Sequence, residues 1–139
     1  MKYLKFPFKD RCIVAIKNDK KTVEITCELA TSPIEIFQSL TFRKETDFPI
    51  PLILKFSNPN VQSFALSNYD FAVEHICVDE KNIVDKIYVQ PSSKSKAQFI
   101  QAYSSFSFII LAPLGFIKNY RIQEKTTTIL LTSSNRFKS

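Results

Sequence analysis

Short runs of β-branched and aromatic residues recur along this chain, each closed off by Asn, Asp, Pro or Ser, a pattern that predicts strands. Arg11 to Lys17 and Thr22 to Leu29 flank Asn18-Asp19-Lys20-Lys21 and predict a first hairpin, in which Asn and Asp supply any left-handed turn residue. Ser32-Pro33-Ile34-Glu35 follows a different grammar. Serine sits at the cap, proline at the first helical position, and the glutamate is placed to close a capping box. Ile36, Phe37 and Leu40 at helical spacing extend this into one predicted α-helix over about 32–43. A loop from Lys44 to Pro51 leads to a buried strand at Leu52 to Phe56. Val61 to Leu66, Phe71 to Asp79 and Asn82 to Gln90 then predict three successive strands, read as a β-meander. Beyond the serine-rich loop Pro91 to Lys96, strands are expected at Ala97 to Tyr103, Phe106 to Ala112 and Thr127 to Thr132, with a short helical turn near 115–120.

Strands at this spacing with one helix predict a mainly β, α+β domain: a small, strongly curved antiparallel sheet or partly closed β-barrel of about seven to nine strands. A length of 139 residues suits a single domain, 1–139, with 133–139 as a flexible basic tail. The longest apolar run, Phe106 to Ile117, is interrupted by Ser107, Pro113 and Gly115 and is too short to span about 30 Å of hydrocarbon. The lysine-interrupted start lacks the apolar core of a secretion signal, so a cytoplasmic protein without a membrane partner is expected.

Composition narrows the chemistry. Gly115 is the one glycine, which removes phosphate loops, dinucleotide fingerprints and nucleophile elbows, all of which need glycine where the backbone turns through positive φ. His75 is the one histidine, so mechanisms built on two imidazoles are absent as well. Cys12, Cys27 and Cys77 are odd in number, widely spaced and set among β-branched residues, as expected of reduced, buried thiols. No CxxC pair suggests a metal, and no cofactor is expected. The net charge of +6 is scattered, except that Lys2, Lys5, Lys9, Arg11, Lys17, Lys20 and Lys21 crowd the amino end among Tyr3, Phe6 and Phe8. Such a mixture suits phosphates and stacked bases, although a merely solvated basic surface explains it more simply.

Six stretches carry a further signal: Ser39-Leu40-Thr41-Phe42-Arg43, Pro51-Leu52-Ile53-Leu54, Phe64-Ala65-Leu66-Ser67-Asn68-Tyr69, the strand from Phe71 to Asp79, Ile83-Val84, and Leu111-Ala112-Pro113-Leu114-Gly115-Phe116. In this order, over about Val23 to Leu131, the chain resembles the domain of unknown function 192 family of small bacterial and archaeal proteins. There the first stretch is similar to a Gly-Leu-Met-Phe-Arg motif, the third to Phe-Trp-Met-Lys-Asn-Thr, and the last to Glu-Leu-Pro-Ala-Gly-Phe. Glu74 stands where the family usually has an aspartate, and the family's tryptophan, methionine and lysine are replaced. The resemblance implies a divergent member of undetermined role, with Arg43 and Asn68 retained from the family's motifs.

Alternation along the strand from Phe71 to Asp79 puts Ala72, Glu74, Ile76 and Val78 on one face and Phe71, Val73, His75 and Cys77 on the other. Both faces are apolar, so Glu74 is expected to be partly buried and to need donors, with Asn68 a candidate partner. Asn68, Glu74 and Arg43 are thus the candidate ligand-binding residues, while mutual pairing that pegs a strand corner is the simpler reading of Glu74 and Asn68. His75 and Cys77 diverge along their strand and lack an orienting acid, so no catalytic residue is assigned and His75 is expected to be partly exposed or at a core edge. The expectation is a non-enzymatic domain that binds a small ligand in a shallow pocket. The alternative is nucleic-acid or polyanion binding through Lys2, Lys5, Lys9 and Arg11, and a weaker one is a hydrolase or lyase with Glu74 as base.

Overall fold

The structure is a computed structural model that describes residues 10–32, 35, 44–48, 50–55, 63–66, 71–90, 98–101 and 107–133. Strands β1 (Arg11–Lys17), β2 (Thr22–Ala30), β3 (Leu52–Lys55), β5 (Val73–Val78), β6 (Val84–Gln90), β8 (Phe108–Ala112) and β9 (Thr128–Ser133) form one seven-stranded sheet in the order β6-β5-β8-β3-β2-β1-β9. Two more, β4 (Ser63–Leu66) and β7 (Gln98–Gln101), pair with each other in a separate ribbon. A single helical turn, α1 (Phe116–Asn119), follows β8, and a short 3-10 turn spans Glu45–Asp47. Among the described residues no helix is long and apolar enough to cross a membrane.

The mainly β, strongly curved architecture matches the expectation from strand spacing, but two details differ. β2 and β3 run parallel, with Glu28 opposite Leu52 and Ala30 opposite Leu54, so the sheet is mixed. The middle of the chain is also not a meander. β4 leaves to pair with β7, and β8 inserts between β3 and β5, which keeps only β5 and β6 as a hairpin. The physical reason lies in burial. All of β8 is buried on both faces, and such a strand gains most from a central place that satisfies both its edges, whatever its sequence neighbours are. The helix expected over 32–43 lies mostly outside the described residues, but its start is visible. The Glu35 N–H donates to Ser32 Oγ at 3.2 Å, and Glu35 Oε1 accepts from the Ser32 N–H at 3.1 Å, which is the reciprocal capping box. The tail from residue 134 onward lies outside the described residues.

One face of the sheet encloses the core. Val14 and Ile16 of β1, Cys27 and Leu29 of β2, Ile53 of β3, Ile76 and Val78 of β5, Phe108 and Ile110 of β8, and Ile129 of β9 converge there, and Phe116 and Ile122 close one end. Each large side chain so buried contributes roughly 1.5–3 kcal/mol relative to exposure. The opposite face is buried too at β3, β5 and β8, where Leu52, Leu54, Val73, Cys77, Ile109 and Leu111 are inaccessible or nearly so.

Curvature brings the two edge strands together at one end. Ile83 and Thr128 form a bridge, with the Val84 N–H donating to Thr127 O at 2.9 Å and the Ile129 N–H to Asn82 O at 2.8 Å. The strands separate beyond that point, so the barrel is only partly closed. Bulges sharpen the bend where the register shifts between Cys77 and Val78 and between Ile13 and Val14. At the second, the Thr132 hydroxyl donates to Ile13 O at 3.0 Å.

Turns are made almost without glycine. At the β5–β6 turn Asn82 takes φ 65°, while Asp79 Oδ1 accepts from the Lys81 and Ile83 N–H groups at 2.8 and 3.0 Å. Gly115 is the exception, with φ 95° at the N-cap of α1. A β-carbon there would meet only Asn119 Nδ2, at 4.0 Å, so a substitution is opposed by backbone conformation and not by crowding. Gly115→Ala is expected to lower stability by about 1–2 kcal/mol, and β-branched Gly115→Val by more. Urea unfolding with an unchanged denaturant slope checks this; wild-type stability in the valine variant would remove the conformational role given to this glycine.

Candidate functional site

Glu74 enters the structure near the start of β5, opposite Ala112 of β8 on one side and Val89 of β6 on the other. Strand alternation turns it toward the same side as Ile76 and Val78, as the sequence pattern predicts, and it is only 8% exposed. After Ala112 the chain passes through Pro113 and Leu114 and swings over the end of β5. Glu74 Oε2 accepts from the Gly115 N–H at 3.0 Å and Oε1 from the Ile117 N–H at 2.8 Å. Gly115 has no side chain with which to cap α1, so a carboxylate distant in sequence satisfies the first turn's free donors. The arrangement holds a turn against the sheet and commits both carboxylate oxygens. Asn68 and Arg43, the other candidate ligand-binding residues, lie outside the described residues. The partners seen for Glu74 were missed in the sequence, although a lone glycine behind Pro113 hinted at a backbone in need of a cap.

The outward side of β5 carries His75 and Cys77. His75 is completely buried rather than partly exposed or at a core edge, because β6 and β8 flank β5 and the Tyr88 ring lies against the imidazole at a centroid separation of 4.8 Å and an interplanar angle of 27°. Burial lowers its pKa to about 3, so the ring stays neutral near pH 7. The Cys77 thiol is raised to about 12, chiefly by burial, with Asp85 adding to the shift and Lys86 opposing it. A neutral histidine next to a protonated thiol does not make a nucleophile. On the same outward side, Glu28 of β2 is fully buried and stands directly across from Arg11 of β1. Arg11 also donates from its guanidinium to Asp10 O at 3.3 Å. Lys2, Lys5 and Lys9, the other residues of the alternative basic site, lie outside the described residues.

A different basic site emerges where the β1–β2 turn meets α1. Asn18 Oδ1 accepts from the Lys20 and Lys21 N–H groups at 2.9 and 3.1 Å, which shapes the turn, while Asn18 Nδ2 donates to Tyr120 O at 3.0 Å. One amide therefore fastens two loops that are a hundred residues apart. Between them lies a cleft of about 300 Å³ lined by Asn18, Lys20, Lys21, Asn119 and Arg121. Lys20, Lys21 and Arg121 are exposed, and Arg121 adopts φ 52°, an uncommon conformation for a side chain of this kind. Asn18 also lines a second cleft of about 310 Å³, together with Lys17, Asp19, Gln123 and Thr126 to Thr128. Lys20 and Lys21 were visible in the sequence as part of the basic amino end. Arg121 and Asn119 carried no local signal, since only the fold brings them to the turn.

Two outcomes follow from β5. In Glu74→Gln one acceptor becomes an NH2 group facing a backbone N–H, so stability is expected to fall by roughly 2–3 kcal/mol in chemical denaturation, as for other losses of a charge-assisted hydrogen bond. His75 has its pKa near 6.5 when unfolded and about 3 when folded, so below pH 6.5 the unfolded chain binds a proton that the folded chain refuses. Its share of stability is complete above pH 6.5 and is lost as the pH falls toward 3, at up to about 1.4 kcal/mol per pH unit. His75→Phe should flatten that part of the stability profile, and an identical acid slope in both proteins would contradict the assignment.

No protein-family profile matches this chain, and no curated protein matches it. In fold it is similar to a "putative transcription regulator" from Sinorhizobium meliloti 1021, with a TM-score of 0.74 and 14% identity over 87% of this chain and 93% of the other. It is also similar to a protein of unknown function from Novosphingobium aromaticivorans DSM 12444, with a TM-score of 0.75 and 16% identity over 93% of this chain and 91% of the other. At these identities the likeness establishes a shared β-rich fold.

Proposed function

We propose that this β-rich domain is a non-catalytic binder of phosphate-bearing polyanions, single-stranded nucleic acid among them, and that it engages them at the cleft between the β1–β2 turn and α1. The observation that carries this reading is the convergence of Lys20, Lys21 and Arg121 on one cleft that also offers the Asn18 and Asn119 side chains. Cations supply the phosphate attraction, and the Asn18 clamp onto Tyr120 holds the two loops in place before a ligand arrives. The formal charge of +6 favours the same class of partner at longer range. The structural similarity to a protein described as a "putative transcription regulator" is compatible with it. Glu74 has both oxygens on backbone donors, which supports a structural role over a catalytic base. Kinship with the domain of unknown function 192 family forms part of the proposal and rests on the segment order from Val23 to Leu131.

Binding of a fluorescent single-stranded oligonucleotide, followed by anisotropy, tests the reading. Three cation–phosphate contacts on a single strand predict an affinity loss of roughly 20-fold between 50 and 200 mM salt. Lys20→Glu, Lys21→Glu and Arg121→Glu should each reduce the salt slope by about one, whereas Lys81→Glu at the β5–β6 turn should leave it unchanged. No binding at low salt, or equal effects from all four variants, would overturn the proposed cleft.

A further inference from the structure

β1 and β2 place two free thiols at directly opposed positions, with the Cys27 thiol donating to Ile25 O at 3.8 Å. Cys12 and Cys27 are directly opposed in the antiparallel register, and the ladder from Arg11 opposite Glu28 to Lys17 opposite Thr22 carries no register shift. The kind of opposition follows from the ladder's two ends. The Asn18 N–H donates to Lys21 O at 3.1 Å, and the Leu29 N–H donates to Asp10 O at 3.0 Å, so the pairs just beyond the ladder, Asn18 with Lys21 and Asp10 with Leu29, are of the hydrogen-bonded type. Pair types alternate along an antiparallel ladder, which makes Cys12 and Cys27 a hydrogen-bonded pair with α-carbons about 5.5 Å apart. That separation falls within the α-carbon range of roughly 4.4–6.8 Å spanned by disulfides, and forming the bond draws the β-carbons of this wider pair type in from about 5.5 Å to the roughly 3.5–4.5 Å that a disulfide needs. The two side chains point into the same core, with exposures of 1% and 0%. Cys77 lies on the opposite side of the sheet, on β5.

We propose that Cys12 and Cys27 are a disulfide-forming pair, oxidised by a small hydroperoxide into a covalent cross-strand clamp. The Cys12 thiolate attacks one peroxide oxygen and the O–O bond breaks, leaving Cys12 as a sulfenic acid while the departing hydroxide takes up a proton as water. The Cys27 sulfur then attacks the Cys12 sulfur, the S–O bond breaks, and the hydroxyl leaves as a second water with the Cys27 proton. Two thiols are oxidised by two electrons and one hydrogen peroxide is reduced to two waters. Of the two thiols Cys12 ionises first, since Lys55 partly offsets the burial that raises its pKa to about 11, whereas Cys12 and Glu28 both add to the burial that raises Cys27; the thiolate is scarce at neutral pH, so the reaction is slow there and quickens as the pH rises. Exposures of 1% and 0% confine the reaction to an oxidant as small as hydrogen peroxide and slow it further. The disulfide closes a ring through the β1–β2 turn, the segment that carries Asn18, Lys20 and Lys21.

The test treats the folded wild-type protein with hydrogen peroxide, blocks remaining thiols and maps peptides without reduction. The expected result is a mass lower by about 2 Da, the two hydrogens lost on disulfide formation, with the tryptic peptide 12–17 joined to 22–43 and released by a dithiol reductant. Cys77→Ala should retain the link, and Cys12→Ala or Cys27→Ala should lose it. The wild-type peptide map stands independently of whether those core variants fold. The proposal is overturned by a link that involves Cys77, by an intermolecular disulfide, by oxygen addition without a link, or by a link that forms in urea but not in the folded protein.

Discussion

The Glu74 carboxylate is the contact on which the rest of the arrangement around α1 depends. A buried carboxylate needs donors, and the first turn of α1 has N–H groups that need acceptors. Their pairing across β5 and β8 resolves both demands and fixes where the chain leaves the sheet after Ala112. From that point the position of Tyr120 follows, and with it the carbonyl that Asn18 grips from the β1–β2 turn. A chain of hydrogen bonds thus runs from a core strand to the surface cleft. The same interactions make Glu74 a poor candidate for proton transfer, since both oxygens accept from fixed backbone groups.

Edge management is the second organising constraint. A curved sheet of seven strands leaves two edges, and here they are brought together where Asn82, Val84, Thr127 and Ile129 exchange backbone hydrogen bonds. Further along β6 the edge is covered differently: the Ile87 N–H donates to Glu124 Oε2 at 2.8 Å, and Lys125 pairs with Asp85. Thr127 and the loop before β9 therefore do for this sheet what full closure does for a barrel. The loop that protects the edge also lines the second cleft, which meets the candidate binding cleft at Asn18.

Much of the fold was legible from the chain, for reasons specific to its parts. β1, β2, β6, β8 and β9 lie within two residues of the runs that predicted them, because Asn, Asp and Pro punctuate those runs. The capping box at Ser32 and Glu35 was local chemistry and could be read directly. The candidate site was legible only in part. Burial of Glu74 followed from alternation, but its donors lie more than forty residues away on the far side of β8. His75 illustrates the same gap: its face was readable, whereas its complete burial depends on Tyr88 and on strands either side of β5.

The sequence by itself determined strand locations, turn chemistry and side-chain faces, since each is set by interactions among near neighbours and by a period of two. It also set the limits that one glycine and one histidine impose on chemistry. Tertiary structure alone decided that β8 lies between β3 and β5, that β2 and β3 run parallel, and that β4 leaves for β7. Strand neighbours are chosen by total burial and hydrogen-bond satisfaction over the whole chain, a quantity that no single segment encodes. For the same reason only the fold could bring Arg121 to Lys20 and Lys21, or set the Cys12 thiol directly across from Cys27.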